Sequence, residues 1–149
     1  MAVVAGAFAG TSRADSNVTV RLVACAFFDG GHVTVPAGST ITLLVGEVTR
    51  TRGHDIAFLQ DLALSASVDG NAIANPMSYF AAPVQIGPNG KDSAWVTWWT
   101  YPTWITLQSG DSLTSVWTGE LAHPISDGLG NISSGDMLGG NDTCTITAA

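Results

Sequence analysis

Ser93 to Leu121 reads SAWVTWWTYPTWITLQSGDSLTSVWTGEL, a stretch that holds all five tryptophans of the chain. It divides into three apolar runs separated by two turns. In Trp95-Val96-Thr97-Trp98-Trp99-Thr100-Tyr101 the period of two that belongs to a strand puts Trp95, Thr97, Trp99 and Tyr101 on one face and Val96 and Trp98 on the other. Tyr101-Pro102-Thr103 is expected to break the ladder, because proline has no N–H to give, and Trp104-Ile105-Thr106-Leu107 to resume it. After a turn at Gln108-Ser109-Gly110-Asp111, Leu113, Ser115, Trp117, Gly119 and Leu121 alternate with Thr114, Val116, Thr118 and Glu120, so one face of this run is the more buried. The stretch reads as the centre of a β-sandwich, with most of its rings packed inside.

Composition widens that reading to the whole chain. With 149 residues it is long enough for one domain with its own core. Hydrophobic residues make up 46% and charged ones 11%, the profile of an all-β domain rather than of a disordered or helical one. The expected fold is a single-domain antiparallel β-sandwich, immunoglobulin-like or jelly-roll-like, over residues 17–149, preceded by an apolar arm over 1–16. Lys plus Arg number 5 against 12 Asp plus Glu, a net charge of −7, which is the wrong sign for neutralising phosphates and argues against nucleic acid. Asp29-Gly30, Asp69-Gly70, Gly110-Asp111 and Asp127-Gly128 are turn dipeptides, so part of the acidic charge is local punctuation.

The rest of the chain reads as short strands. Val18 to Cys25 is the first, followed by His32-Val33-Thr34-Val35 and Thr40 to Val45 across the turn at Pro36-Ala37-Gly38-Ser39, as successive hairpins. Gly46 to Gly53 is read as a polar loop, and His54 to Asp61 as the one place for a helical turn. Leu62 to Val68 alternates again, and Asn75 to Asp92 is a long connection with a short strand at Val84-Gln85-Ile86. Ala122 to Asp142, with its many glycines, is expected to be a surface loop.

The two cysteines, Cys25 and Cys144, fall in the first clear strand and the last. That placement points to a disulfide closing the sandwich, with a stabilisation of roughly 3–5 kcal/mol for so long a loop, and hence to an oxidising compartment. Two unpaired buried thiols are the open alternative; no CxxC and no adjacent histidine suggests catalysis or metal binding. At the N-terminus Ala2 to Gly10 is an apolar run too short to span a bilayer. It is either the end of a secretion signal, though a basic n-region is lacking, or an assembly strand carried by Val3, Val4 and Phe8.

Motifs with chemistry are sparse. Val33 to Leu43 with the later Gly53-His54-Asp55 resembles the strand-turn-strand of cupredoxins, but a blue-copper site needs a clustered cysteine, second histidine and axial ligand, and Cys144 is followed only by Thr145-Ile146-Thr147-Ala148-Ala149. Neither a nucleophile elbow nor a dinucleotide fingerprint is present, and no cofactor or metal is expected. VTVPAGS at 33–39, YPTWITLQSGDSLT at 101–114 and TCTIT at 143–147, with a partner cysteine near the start, resemble small secreted bacterial β-sandwich proteins of largely unassigned function. The resemblance implies a disulfide-closed extracellular sandwich and no activity.

Three functions follow as expectations. The first is a non-enzymatic, secreted or surface-exposed structural subunit that assembles with itself or with other surface proteins. The second is a carbohydrate-binding module stacking sugars on Trp99, Tyr101 and Trp104. The third and least expected is an enzyme built on His54 and Asp55 or on His123 and Asp127. Asn17, Asn131 and Asn141 head glycosylation-type triplets, Asn131 in the long loop being the best acceptor of the three.

Overall fold

The computed structural model describes residues 16–88 and 93–149. In chain order the elements are β1 (Ser16–Arg21), α1 (Leu22–Phe27), β2 (His32–Val35), β3 (Ser39–Thr49), α2 (Arg52–Asp61), β4 (Leu62–Val68) and β5 (Asn71–Ala72). A 3₁₀ turn at Pro76–Tyr79 leads to β6 (Val84–Ile86), β7 (Ala94–Leu107), β8 (Ser112–Ser126), β9 (Ile132–Asp136) and β10 (Thr143–Ala148). They form two sheets that share one core. The smaller runs β1-β3-β7-β6; the larger runs β2-β10-β8-β4-β5, with β9 also paired to β8. The all-β sandwich expected from the sequence is therefore present.

Its connectivity departs from simple hairpins in one respect. β1 pairs β3 in parallel, and β2 pairs β10 in parallel; the other ladders are antiparallel. The cause is α1. After β1 it carries the chain from the smaller sheet to the larger, where β2 lies beside β10, and the Pro36-Ala37-Gly38 turn returns it to the smaller sheet as β3. Parallel neighbours in a sheet need a crossover connection of this kind, which is what joins β1 to β3. Cys25 consequently sits in a helix and not in the first strand, which ends at Arg21.

Period-two burial fills the core. From β3, Ser39, Ile41, Leu43 and Val45 face inward; from β8, Leu113, Ser115, Trp117, Gly119 and Leu121, the face expected from the sequence; from β10, Cys144, Ile146 and Ala148. Trp99 of β7 is fully buried and meets the likewise buried Trp117 edge-on, with ring centroids 6.3 Å apart and an interplanar angle of 72°. Its indole N–H donates to the Pro76 carbonyl at 2.8 Å, so this ring leaves no polar atom unsatisfied. Cys25 and Cys144 form a disulfide across a Cα separation of 5.9 Å, tying α1 to β10.

Of two expected interruptions, the one at Pro102 is displaced by a residue and the one at Gly46 is absent. Pro102 does not end its strand. β6 pairs β7 at Ala94–Val96 and a bridge joins Phe80 to Trp99, so among the described residues β7 has a ladder neighbour on one side only at Pro102, and the missing N–H is tolerated. The irregularity falls just beyond. Thr42 faces Pro102 and Thr40 faces Thr106, so Ile41 alone stands opposite Thr103, Trp104 and Ile105. This bulge is closed by the Thr103 hydroxyl, which donates to the Ile41 carbonyl at 2.7 Å and accepts from the Ile105 N–H at 3.1 Å. Likewise Gly46 does not begin a loop. It pairs Trp98 inside the β3–β7 ladder, and only a residue without Cβ leaves room for the Trp98 ring that lies across it.

Two further segments are resolved as follows. The helical turn expected at His54 to Asp61 is α2, capped by Thr51, whose hydroxyl accepts from the His54 N–H at 3.3 Å. Ala122 to Asp142 is not one loop, because β8 continues to Ser126 and β9 pairs back onto it through a bulge between Leu121 and Ile125. Its carboxylates serve the backbone. Asp127 accepts from Leu129 and Asn131, and Asp136 from Leu138 and Gly140.

Candidate functional site

An antiparallel sandwich normally turns its outer faces to water with polar side chains. One end of the smaller sheet does not. Leu44, Gly46 and Val48 of β3 point away from the core, and the Trp98 ring lies across Gly46. With Val23, Ala24 and Phe28 from α1 and the turn after it, they line an open hollow of about 240 Å³ in which Arg21 is the only charged lining residue. Phe28 is 83% exposed and Val48 41%. An apolar patch of this continuity, with little charge, is what a partner surface looks like before it is covered. Beside it β1 pairs only with β3, leaving its outer edge unpaired among the described residues.

The three-ring sugar platform does not form. Trp99 is in the core, Tyr101 is half-buried and engaged edge-on by Tyr79 at 4.9 Å, and Trp104 alone is open to solvent, 83% exposed. Trp104 lies an odd number of residues from Trp99 and Tyr101 and so belongs to the opposite face of the strand, and the bulge, whose two extra residues leave the alternation unchanged, lifts it further out of the ladder. Trp104 also has φ near 60°, a left-handed backbone that a bulky residue adopts rarely.

The enzyme candidates separate in the same way. His54 Nδ1 lies 2.9 Å from the Thr51 hydroxyl, whereas Asp55, the next residue, is fully buried with neither carboxylate oxygen partnered. His123 meets Asp61 at 2.6 Å and not Asp127, and its backbone N–H donates to the same carboxylate at 2.8 Å. Hydrogen bonds from the His123 side chain and backbone hold the Asp61 carboxyl below its ordinary range. Among the described residues no group of three or more His, Cys, Asp or Glu is placed to hold a metal ion. Asn17, Asn131 and Asn141 are all exposed, but the Asn131 amide donates to Asp127 at 2.6 Å and that of Asn141 to the Leu138 carbonyl at 3.2 Å. Val3, Val4 and Phe8 lie outside the described residues.

One group escaped the sequence reading. Glu47 follows the inward period of β3, two residues beyond Val45, and reaches the end of the core. Burial, reinforced by the Asp55 and Asp127 carboxylates, pushes its pKa up to about 7. Burial raises that of Asp55 as well. The signal was available: Glu47 breaks an otherwise apolar alternation, which the supposed loop at Gly46 concealed.

No family model, no curated protein and no solved structure matches this chain. Its function must therefore be argued from the surfaces above. The described residues include no helix long and apolar enough to cross a membrane.

Proposed function

We propose that this protein is a non-enzymatic, extracellular structural subunit that assembles with copies of itself through the outer face of its smaller sheet. The observation that carries the reading is the uncovered apolar surface of Leu44, Val48, Trp98 and Phe28 beside the unpaired edge of β1. A second copy is the fitting partner because that edge supplies N–H and C=O groups that another β-strand satisfies. The apolar stretch with Val3, Val4 and Phe8 precedes β1 in the sequence and is included in the proposed contact. The Cys25–Cys144 disulfide favours an oxidising, extracellular setting.

Charge supplies an independent check. Copies with a net charge of −7 repel one another, and screening shortens the reach of that repulsion to about 8 Å at 0.15 M salt. Association therefore strengthens as salt is added. Mass in solution at micromolar concentration is the test, on the full chain, on Val48→Asp and on a chain beginning at residue 13. The full chain should exceed the mass of one subunit, and Val48→Asp should return it to a monomer. A strict monomer at every salt concentration removes the proposal.

Trp104 supports a second reading, a carbohydrate contact through one ring rather than three. An exposed indole held out by a left-handed backbone is a costly placement for a residue with no task. Retardation of the protein in polysaccharide-loaded gels, lost in Trp104→Ala, would support it; equal mobility of the two proteins would end it.

A further inference from the structure

Between the sheets, at the end of the core nearest α2, lies a chamber of about 190 Å³. Its walls include four aromatic rings, Phe27, Phe58, Phe80 and Trp117, and one ionisable group, Glu47. Phe58 and Phe80 meet edge-on at 6.5 Å, so this wall is packed. Ser133 of β9 and the half-exposed Phe27 stand where the chamber meets solvent. Two features of it are unspent. The Glu47 carboxyl has no ion pair or hydrogen bond among the described residues, and the Trp117 indole N–H is buried without an acceptor. The indole N–H lacks the partner that a buried polar group nearly always has, and the Glu47 carboxyl, which keeps contact with solvent, is free to meet a ligand's charge.

We propose that this chamber binds a small organic ammonium ion, its cationic head beside Glu47 and against the aromatic walls. The choice of ligand follows from the lining. An anion would enter against Glu47 and the nearby Asp55 and Asp127, whose charges already act on that carboxyl. A hard metal ion requires about six to eight oxygen ligands, and the chamber offers one carboxylate and the hydroxyl of Ser133. A weakly hydrated alkylammonium loses less on leaving water and gains from ring faces as well as from the carboxylate. The size is adequate: an apolar cavity of about 150 Å³ accepts benzene. The chamber adjoins the assembly surface at Val23 and Gly46, but Glu47, Phe58, Phe80 and Trp117 line the chamber alone, so the ligand proposal is argued without self-association.

Ionised Glu47 is the form that attracts the cation, so affinity rises with pH through the region of 7. Asp55 from α2 and Asp127 from the segment after β8 are the charged groups acting on it; the Arg50 guanidinium is directed instead to the Ser93 carbonyl, at 3.5 Å.

The probes are choline, which keeps its charge at all pH values used, and its neutral isostere 3,3-dimethylbutan-1-ol, each titrated into the full chain and followed by tryptophan fluorescence and backbone amide shifts. Choline should bind saturably, shift resonances of Glu47, Phe58 and Trp117, and bind more tightly at pH 8 than at pH 6. Glu47→Gln, nearly isosteric and neutral, should weaken it by about tenfold or more and abolish the pH dependence. Melting of the variant by circular dichroism establishes that it is folded. Equal binding of choline and the alcohol, binding unaffected by Glu47→Gln, or no saturable shift from choline in the folded wild-type protein would each overturn the assignment. The pH series on the wild type decides the matter even if the variant does not fold.

Discussion

Reduction of the Cys25–Cys144 bridge is the perturbation whose size can be worked most directly. The two residues are 119 apart in sequence, and in the chain-entropy description a loop of that length restricts the unfolded ensemble by about 5 kcal/mol at 25 °C. Engineered and natural bridges commonly deliver less, so a loss of about 3–5 kcal/mol is expected, a large share of the roughly 5–15 kcal/mol that holds a domain together. For a chain of this size that corresponds to a fall in Tm of about 10 °C or more. The bridge also fixes α1, the crossover that puts β1 and β2 in different sheets, against β10. Thermal melts followed by far-ultraviolet circular dichroism, with and without a phosphine reductant, should be compared with Cys25→Ala/Cys144→Ala. The variant should melt lower than the reduced protein, because both sulfurs are buried and their removal leaves a void. A Tm unchanged by reductant, with both thiols titrated after unfolding, would refute the reasoning. Two thiols titrated in unfolded protein that had met no reductant would refute the bridge itself.

Other expectations concern the core and its one unusual carboxyl. Trp99→Ala should destabilise by about 3–5 kcal/mol, measured by urea denaturation, since it empties the centre of the aromatic cluster and strands the Pro76 carbonyl. Trp104→Ala should change stability little, and an equal loss at both positions would contradict the assigned burial. Glu47 has a folded pKa raised to about 7 from 4.5, so the native state binds more protons than the unfolded one between those values. Stability contributed by the protonated form is therefore lost as pH rises from about 4.5 through 7, by at most about 3 kcal/mol. Asp55 shifts in the same direction. Glu47→Gln should flatten this decline and be the more stable protein at pH 8; a wild-type stability that rises from pH 5 to pH 8, with the variant unchanged, would contradict it.

Periodicity made the core legible where a strand was uniform and one face was plainly greasier. Leu113, Trp117 and Leu121 in β8 and Ile41 and Leu43 in β3 are buried as their alternation indicates. Polar punctuation was legible too. Asp69-Gly70 makes the two-residue turn between β4 and β5 with both residues at positive φ, as Asp-Gly dipeptides do. What could not be read depended on partners distant in sequence. Leu22 to Phe27 is too short to declare its period, so α1 looked like more strand, and the parallel pairings that follow from it were hidden. Pro102 and Gly46 look like breakers from local chemistry. They are tolerated because β7 lacks a second neighbour at one point and because Trp98 needs the space at the other. Exposure was the other blind spot. Trp99 and Trp104 fall on opposite faces by the period of two, and where both faces of a run are partly apolar the period does not say which of them is the core.

The most direct test of self-assembly through the smaller sheet is hydrogen exchange of the full chain at dilute and at high micromolar concentration. If the outer face and the β1 edge form the contact, protection at the higher concentration should grow at β1, at Leu44–Val48 and around Phe28, and nowhere near Trp104 or β5. Exchange independent of concentration, or new protection confined to the Trp104 bulge, would contradict the account.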